Sequence, residues 1–130
     1  MDKNYNNYGL AAIKAAKEGE NAIEVWGKAV KELFKSKDSQ DKPCPRNAFL
    51  GLCEAGCVKG IEVGLYFKRA KPNFNKQYAI NAVKTLKEYP NLSRKELWIK
   101  VKVNLDLGNK THNSQMDVVL ALWDEGLIEK

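Results

Sequence analysis

Leu50-Gly51-Leu52-Cys53-Glu54-Ala55-Gly56-Cys57-Val58 returns seventy residues later as Leu120-Ala121-Leu122-Trp123-Asp124-Glu125-Gly126-Leu127-Ile128. Apolar, acidic and glycine positions recur in one register. Both stretches read as the end of an amphipathic helix, stopped by a glycine at the left-handed position just past its last turn. Two further blocks extend the match outward. Tyr8, Ala12, Lys14, Lys17 and Glu18 recur at the same offset as Tyr78, Ala82, Lys84, Lys87 and Glu88. Glu24-Val25-Trp26-x-Lys28 recurs at an offset of 72 as Glu96-Leu97-Trp98-x-Lys100. Three blocks in one order, with matching Trp and matching terminal Gly, favour an internal repeat over a chance likeness of amphipathic helices.

Each unit then reads as three helices. Ala22, Val25, Trp26, Ala29, Val30 and Leu33 form the apolar stripe of a helix packed on a core, and Ala79, Ala82, Val83 and Leu86 form another. Ser93-x-x-Glu96 is a capping box, Leu92 and Leu97 sit where a hydrophobic staple belongs, and Pro90 closes the helix before it. The third helices are expected over Pro45 to Ala55 and Ser114 to Glu125. Ile61, Val63, Leu65 and Phe67 alternate with more polar neighbours, as do Val101, Val103, Leu105 and Leu107, which leaves short strands or irregular turns open there. The expected fold is all-α: a single domain, 1–130, of two tandem three-helix, helix-turn-helix-like repeats in a pseudo-twofold arrangement. The first repeat spans about 8–61, a connector about 62–75, and the second about 76–130. Length supports one domain: 130 residues is close to the usual size and sufficient for a proper core.

Composition narrows the class further. At 44% hydrophobic the chain is not a disordered tail. The longest apolar run, Val118 to Trp123, falls far below the ~20 residues of a membrane span, so no membrane partner is expected. Met1 to Asn7 holds no apolar stretch of the kind a secretory leader needs, and three cysteines without an export signal point to reduced thiols in a cytoplasm. Cys44, Cys53, Cys57 and His112 are numerically a zinc set, yet Cys53-x₃-Cys57 lies on a helix end and the other two are single and distant. Cys53 and Cys57 align with Trp123 and Leu127, which assigns them to the core, and no metal or cofactor is expected.

Two stretches carry a resemblance. Cys44-Pro45-Arg46-Asn47-Ala48-Phe49-Leu50-Gly51-Leu52-Cys53-Glu54-Ala55-Gly56-Cys57-Val58-Lys59-Gly60-Ile61 is one. His112-Asn113-Ser114-Gln115-Met116-Asp117-Val118-Val119-Leu120-Ala121-Leu122-Trp123, followed by Gly126-Leu127-Ile128, is the other. Over nearly its whole length the chain resembles a family of small bacterial cytosolic proteins of unknown function. The resemblance implies a bacterial cytosolic protein and carries over no catalytic residue. A looser similarity, to the last two helices of winged-helix domains, departs in its long connection at about Asn104 to Asn113 and its lack of a wing, and transfers little function.

Two candidate sites emerge. The charge of +6 is local: Val63 to Lys87 contains no Asp or Glu, but holds Lys68, Arg69, Lys71, Lys76, Lys84 and Lys87, interleaved with Tyr66, Phe67, Phe74 and Tyr78. Lysines can follow phosphates and aromatic rings can stack on bases, so Lys68, Arg69, Lys71, Lys76, Lys84, Lys87, Tyr66 and Phe74 form a candidate nucleic-acid surface. The second site gathers the polar residues before the two third helices, a pocket of Cys44, Arg46, Asn47, His112, Asn113, Gln115 and Asp117 if the units face each other. There Cys44 would have its thiolate favoured by a helix N-terminus, with His112 as base, or the two helix starts and Arg46 would hold an anion. The plainer alternative makes Asn113 or Ser114 a helix cap and His112 a surface residue. P-loop, dinucleotide-binding, zincin and EF-hand motifs are all absent. The leading functional reading is a non-enzymatic binding module contacting nucleic acid or another protein; the rival is an enzyme or small-ligand binder at the polar helix starts. A protein-interaction scaffold would show an exposed apolar patch. Nothing in the sequence sets an oligomeric state.

Overall fold

The computed structural model describes residues 5–64, 66, 74–111 and 114–129. Seven helices stand in this part of the chain: α1 (Asn7–Glu18), α2 (Ala22–Leu33), the single turn α3 (Lys37–Gln40), α4 (Pro43–Glu54), α5 (Phe74–Glu88), α6 (Arg94–Leu105) and α7 (Gln115–Asp124). The fold is all-α, and the described residues include no strand.

Local signals set most helix ends. Asn6 and Asn21 cap α1 and α2 by accepting the backbone N–H groups of Tyr8 and Glu24. Ser93 and Glu96 form both halves of the expected capping box. At the end of α4 the N–H of Cys57 reaches the Leu52 carbonyl and that of Gly56 reaches Cys53, with Gly56 at φ +77°. The end of α7 repeats this, Leu127 to Leu122 and Gly126 to Trp123, with Gly126 at φ +70°.

Several expectations need correction. Residues 101–105 are helical, not extended: the capped helix runs through them, with Val101 buried beside Leu97 and Trp98 while Val103 faces solvent. Ile61 makes an isolated parallel bridge with Glu20, and Leu65 and Phe67 lie outside the described residues. The third helix of the first half starts at Pro43, two residues earlier than expected, because a proline suits its first turn there too. Ion pairs of Lys28 with Glu18 and of Lys14 with Glu32 join α1 to α2.

Apolar side chains on both sides of the connector join one core. α7 is buried along Gln115 to Leu122 and packs on α1, α4, α5 and α6. A helix apolar on every side belongs in the middle of a fold, and the Val118–Trp123 run is its signature. The first helix of each half packs on the third helix of the other: α1 on α7 and α5 on α4. Val58 and Ile128 close the same seam as an antiparallel bridge, with Lys59 N–H donating to Leu127 and Glu129 N–H to Cys57. No helix among the described residues is long and apolar enough to cross a membrane.

Candidate functional site

At the start of α7 the polar residues turn inward. Asp117 is fully buried; its Oδ1 accepts the backbone N–H of Asn6 at 2.9 Å and Nη1 of Arg94 at 2.8 Å. Gln115, also buried, donates through Nε2 to Oδ1 of Asn75 at 2.9 Å. Asn6 donates through Nδ2 to Ser114 Oγ at 3.1 Å. Ser114 occupies the position before α7 at φ +69°, and its hydroxyl makes no cap bond to that helix. Gly9 lets α1 approach closely: a Cβ there would lie 2.7 Å from the Asp117 carbonyl oxygen. The corner thus ties the starts of α1, α5, α6 and α7 together. With a guanidinium already on Asp117 Oδ1, it is a clamp and not a cation site. Asp117 Oδ2 is buried without a hydrogen-bond partner.

The start of α4 carries the other residues of the expected pocket. Cys44, Arg46 and Asn47 are partly buried there, and Arg46 Nη1 makes a long 3.4 Å contact to Asn47 Oδ1. Among the described residues no hydrogen bond or ion pair links these three to Gln115 or Asp117. His112 and Asn113 lie outside the described residues, as do Lys68, Arg69 and Lys71. Cys53 and Cys57 sit at the other end of α4, where burial pushes both thiols up.

The basic segment divides. Lys76 is committed to Glu54, Nζ to Oε1 at 2.6 Å, and Glu54 Oε2 also accepts the Tyr66 N–H at 2.8 Å. The Tyr66 ring packs on the core and its hydroxyl donates to the Glu62 carbonyl. Lys84 and Lys87 are exposed on α5, and Phe74 at its start is 58% exposed.

One surface feature had no place in the sequence reading. Between α5 and α6 runs a groove of about 360 Å³, lined by Tyr89, Ile99, Lys100 and Val103 with Thr85, Glu88 and Asn104. Tyr89, Ile99 and Val103 are 46%, 47% and 75% exposed, three of the six large apolar side chains exposed among the described residues. The Lys100 ammonium lies 4.3 Å from the centre of the Tyr89 ring. The available signal was the spacing of Ile99 and Val103, one turn apart and off the Leu97–Trp98–Val101 face.

The model of a family of unknown function (DUF6979) matches residues 3–129, and the chain belongs to that family. No curated protein and no solved structure matches it.

Proposed function

We propose that this member of a family of unknown function is a non-enzymatic interaction module that docks another protein on its α5–α6 side. The exposed apolar set of Tyr89, Ile99 and Val103 carries this reading, because such a cluster on a small chain marks a contact surface. The polar corner supports it from the other side: the hydrogen bonds of Asn6, Arg94, Gln115 and Asp117 join helices. Nucleic acid is the second reading, favoured by exposed Lys84, Lys87 and Phe74. It has less to work with, since Lys76 is paired with Glu54 and Tyr66 packs on the core.

A photo-crosslinking residue placed at position 103 or, as control, at position 31 separates these readings in cells. A discrete protein adduct from position 103 and none from position 31 is expected. Equal adducts from both positions, or none from either, would overturn the proposal. Tight binding of a labelled oligonucleotide, below ~10⁻⁵ M at moderate salt and lost in Lys84→Glu/Lys87→Glu, would replace it with the nucleic-acid reading.

A further inference from the structure

The ends of α4 and α7 are built alike. Each closes with the same two backbone hydrogen bonds around a glycine of positive φ, and each has a carboxylate as its last helical residue, Glu54 or Asp124. The two carboxylates keep different company. The Glu54 side chain is 5% exposed and holds a primary ammonium of the chain itself, Lys76 Nζ on Oε1 at 2.6 Å. Asp124 is exposed, and among the described residues its carboxylate meets no ion-pair partner and no hydrogen-bond donor.

Asp124 lines a cleft of about 350 Å³ together with Pro90, Asn91, Trp123, Gly126 and Ile128. Its apolar walls are fixed in place. Trp123 donates through Nε1 to the Pro90 carbonyl at 3.3 Å, and the buried Ile128 is bridged to Val58. Gly126 keeps the space open, since nothing lies within 4 Å of the place its Cβ would take.

Charge sets this cleft apart from the other grooves. The α5–α6 groove has Lys100 and Glu88 in its lining, one charge of each sign. A groove of about 310 Å³ between α1 and α2 is lined by Lys14, Lys17 and Lys28 with Glu18 and Glu32. There each lysine has a carboxylate: Glu32 for Lys14, Glu125 for Lys17 and Glu18 for Lys28. The lining beside Asp124 holds, among the described residues, one carboxylate and no cation. Partial burial and the charge of Glu125 push the Asp124 carboxyl above its ordinary value, as befits a carboxylate short of a counter-ion.

From these observations we infer that the cleft at the end of α7 binds an alkylammonium group, its charge on Asp124 and its hydrocarbon stem against Trp123 and Pro90. The ligand takes at Asp124 the place that Lys76 takes at Glu54. Trp123 stands where the end of α4 has Cys53, and indole is the aromatic ring that best attracts a cation. The negative end of the α7 dipole favours positive charge at the same spot. Docking on the α5–α6 side is not needed for any of this.

The test titrates the full chain, labelled with ¹⁵N, with butylammonium, butanol and butyrate at constant ionic strength. The three probes share an alkyl stem and differ in the charge of the head group. Butylammonium should bind with Kd on the order of 10⁻³ to 10⁻² M, as one exposed ion pair and one ring contact allow. Shifts should centre on Asn91, Trp123, Asp124 and Gly126, while the indole signals of Trp26 and Trp98 stay in place. Butanol and butyrate should bind at least about fivefold more weakly. Asp124→Asn should weaken butylammonium about fivefold, to the level of butanol, with an unchanged circular dichroism spectrum. Glu125→Gln, on the neighbouring carboxylate, should leave the affinity within about twofold.

The same titration with N-acetyl-lysine methylamide separates two sources of the ammonium group. Tighter binding than butylammonium assigns the cleft to a lysine side chain of another protein, and weaker binding assigns it to a free amine. No shift up to about 0.1 M butylammonium, equal binding of butanol, or shifts centred elsewhere would overturn the inference. So would undiminished binding in Asp124→Asn, or an equal loss in Glu125→Gln, which would reduce the effect to a diffuse acidic surface.

Discussion

Arg94 and Asp117, 23 residues apart, meet at 2.8 Å with the arginine half exposed and the aspartate fully buried. The pair lies between a surface ion pair, which is worth little, and a buried one, whose rupture strands a charge. Asp117→Ala also strips the Asn6 N–H of its acceptor and should cost about 2–3 kcal/mol. Asp117→Asn keeps an acceptor and should cost less. Arg94→Ala should be more damaging in the native background than in Asp117→Asn, with a coupling of about 1–2 kcal/mol. Urea denaturation of the four proteins measures this; additive effects would show that the guanidinium does nothing for the carboxylate.

How far this corner could be read beforehand depends on the residue. Gln115 and Asp117 stand out in sequence as polar residues at a helix start. Their partners do not, because Asn6 lies 111 residues from Asp117 and nothing local marks the contact. The same limit governs the fold. Stripes such as Val25–Trp26–Ala29 tell which side of a helix is covered, and Ser93, Gly56 and Gly126 tell where helices begin and stop. None of them tells what covers a stripe, so no local signal encodes the crossing of α1 onto α7 and of α5 onto α4. The alternation of Val101, Val103, Leu105 and Leu107 misled for a related reason: α6 carries apolar residues on two faces, one for the core and one for solvent, and sampling every second residue mixes them.

The capping box of α6 gives an acid-side prediction. The Ser93 backbone N–H, donating to Glu96, holds the glutamate carboxyl below its ordinary value, with the Ser93 hydroxyl and Lys100 adding in the same direction. A depressed folded-state value contributes stability that is present above the unfolded value, near pH 4.3, and is lost as pH falls through the folded one. Glu96→Gln should flatten that part of the pH–stability curve. Ser93→Ala, which keeps the backbone donor, should cost about 1 kcal/mol through its lost cap with most of the acid dependence intact. Urea midpoints between pH 3 and 6 distinguish the two, and an unchanged curve in Glu96→Gln would show that the carboxylate bond has no weight in solution.

Alkaline behaviour should come from the other end of α4. Burial pushes the Cys53 thiol well up and raises Cys57 more modestly, against the lowering effect of Lys87 and Lys76. A raised folded-state value means full stability below the unfolded thiol value, near pH 8.5, and progressive loss above it, at up to about 1.4 kcal/mol per pH unit for each group. Cys53→Ala should therefore show a shallower decline between pH 8.5 and 10 than the native chain, whatever its cost at neutral pH. In the native protein at pH 8, iodoacetamide should leave Cys53 unmodified while the partly exposed Cys44 reacts, read by peptide mass spectrometry. Rapid labelling of Cys53 would mean that α4 opens far more readily than its packing implies.

Glycine substitutions test how closely the two halves are packed, and here the likeness of the two sequence stretches alone gives the wrong expectation. Gly51 aligns with Ala121, so alanine looks acceptable at position 51. In the fold, however, a Cβ on Gly51 would lie 2.5 Å from Lys76 Cβ and 2.8 Å from its Cα. Those atoms belong to the start of α5 and cannot swing aside as a side-chain tip can. Gly51→Ala should force α4 and α5 apart and cost about 1–3 kcal/mol, the usual range for overpacking. Gly27, inside α2, has nothing within 4 Å of the place its Cβ would take. There the same substitution removes only the entropy penalty of a helical glycine and should stabilise by about 0.5–1 kcal/mol. Thermal and urea unfolding of the two variants should shift in opposite directions. A neutral Gly51→Ala would mean that the α4–α5 crossing is wider than the structure shows.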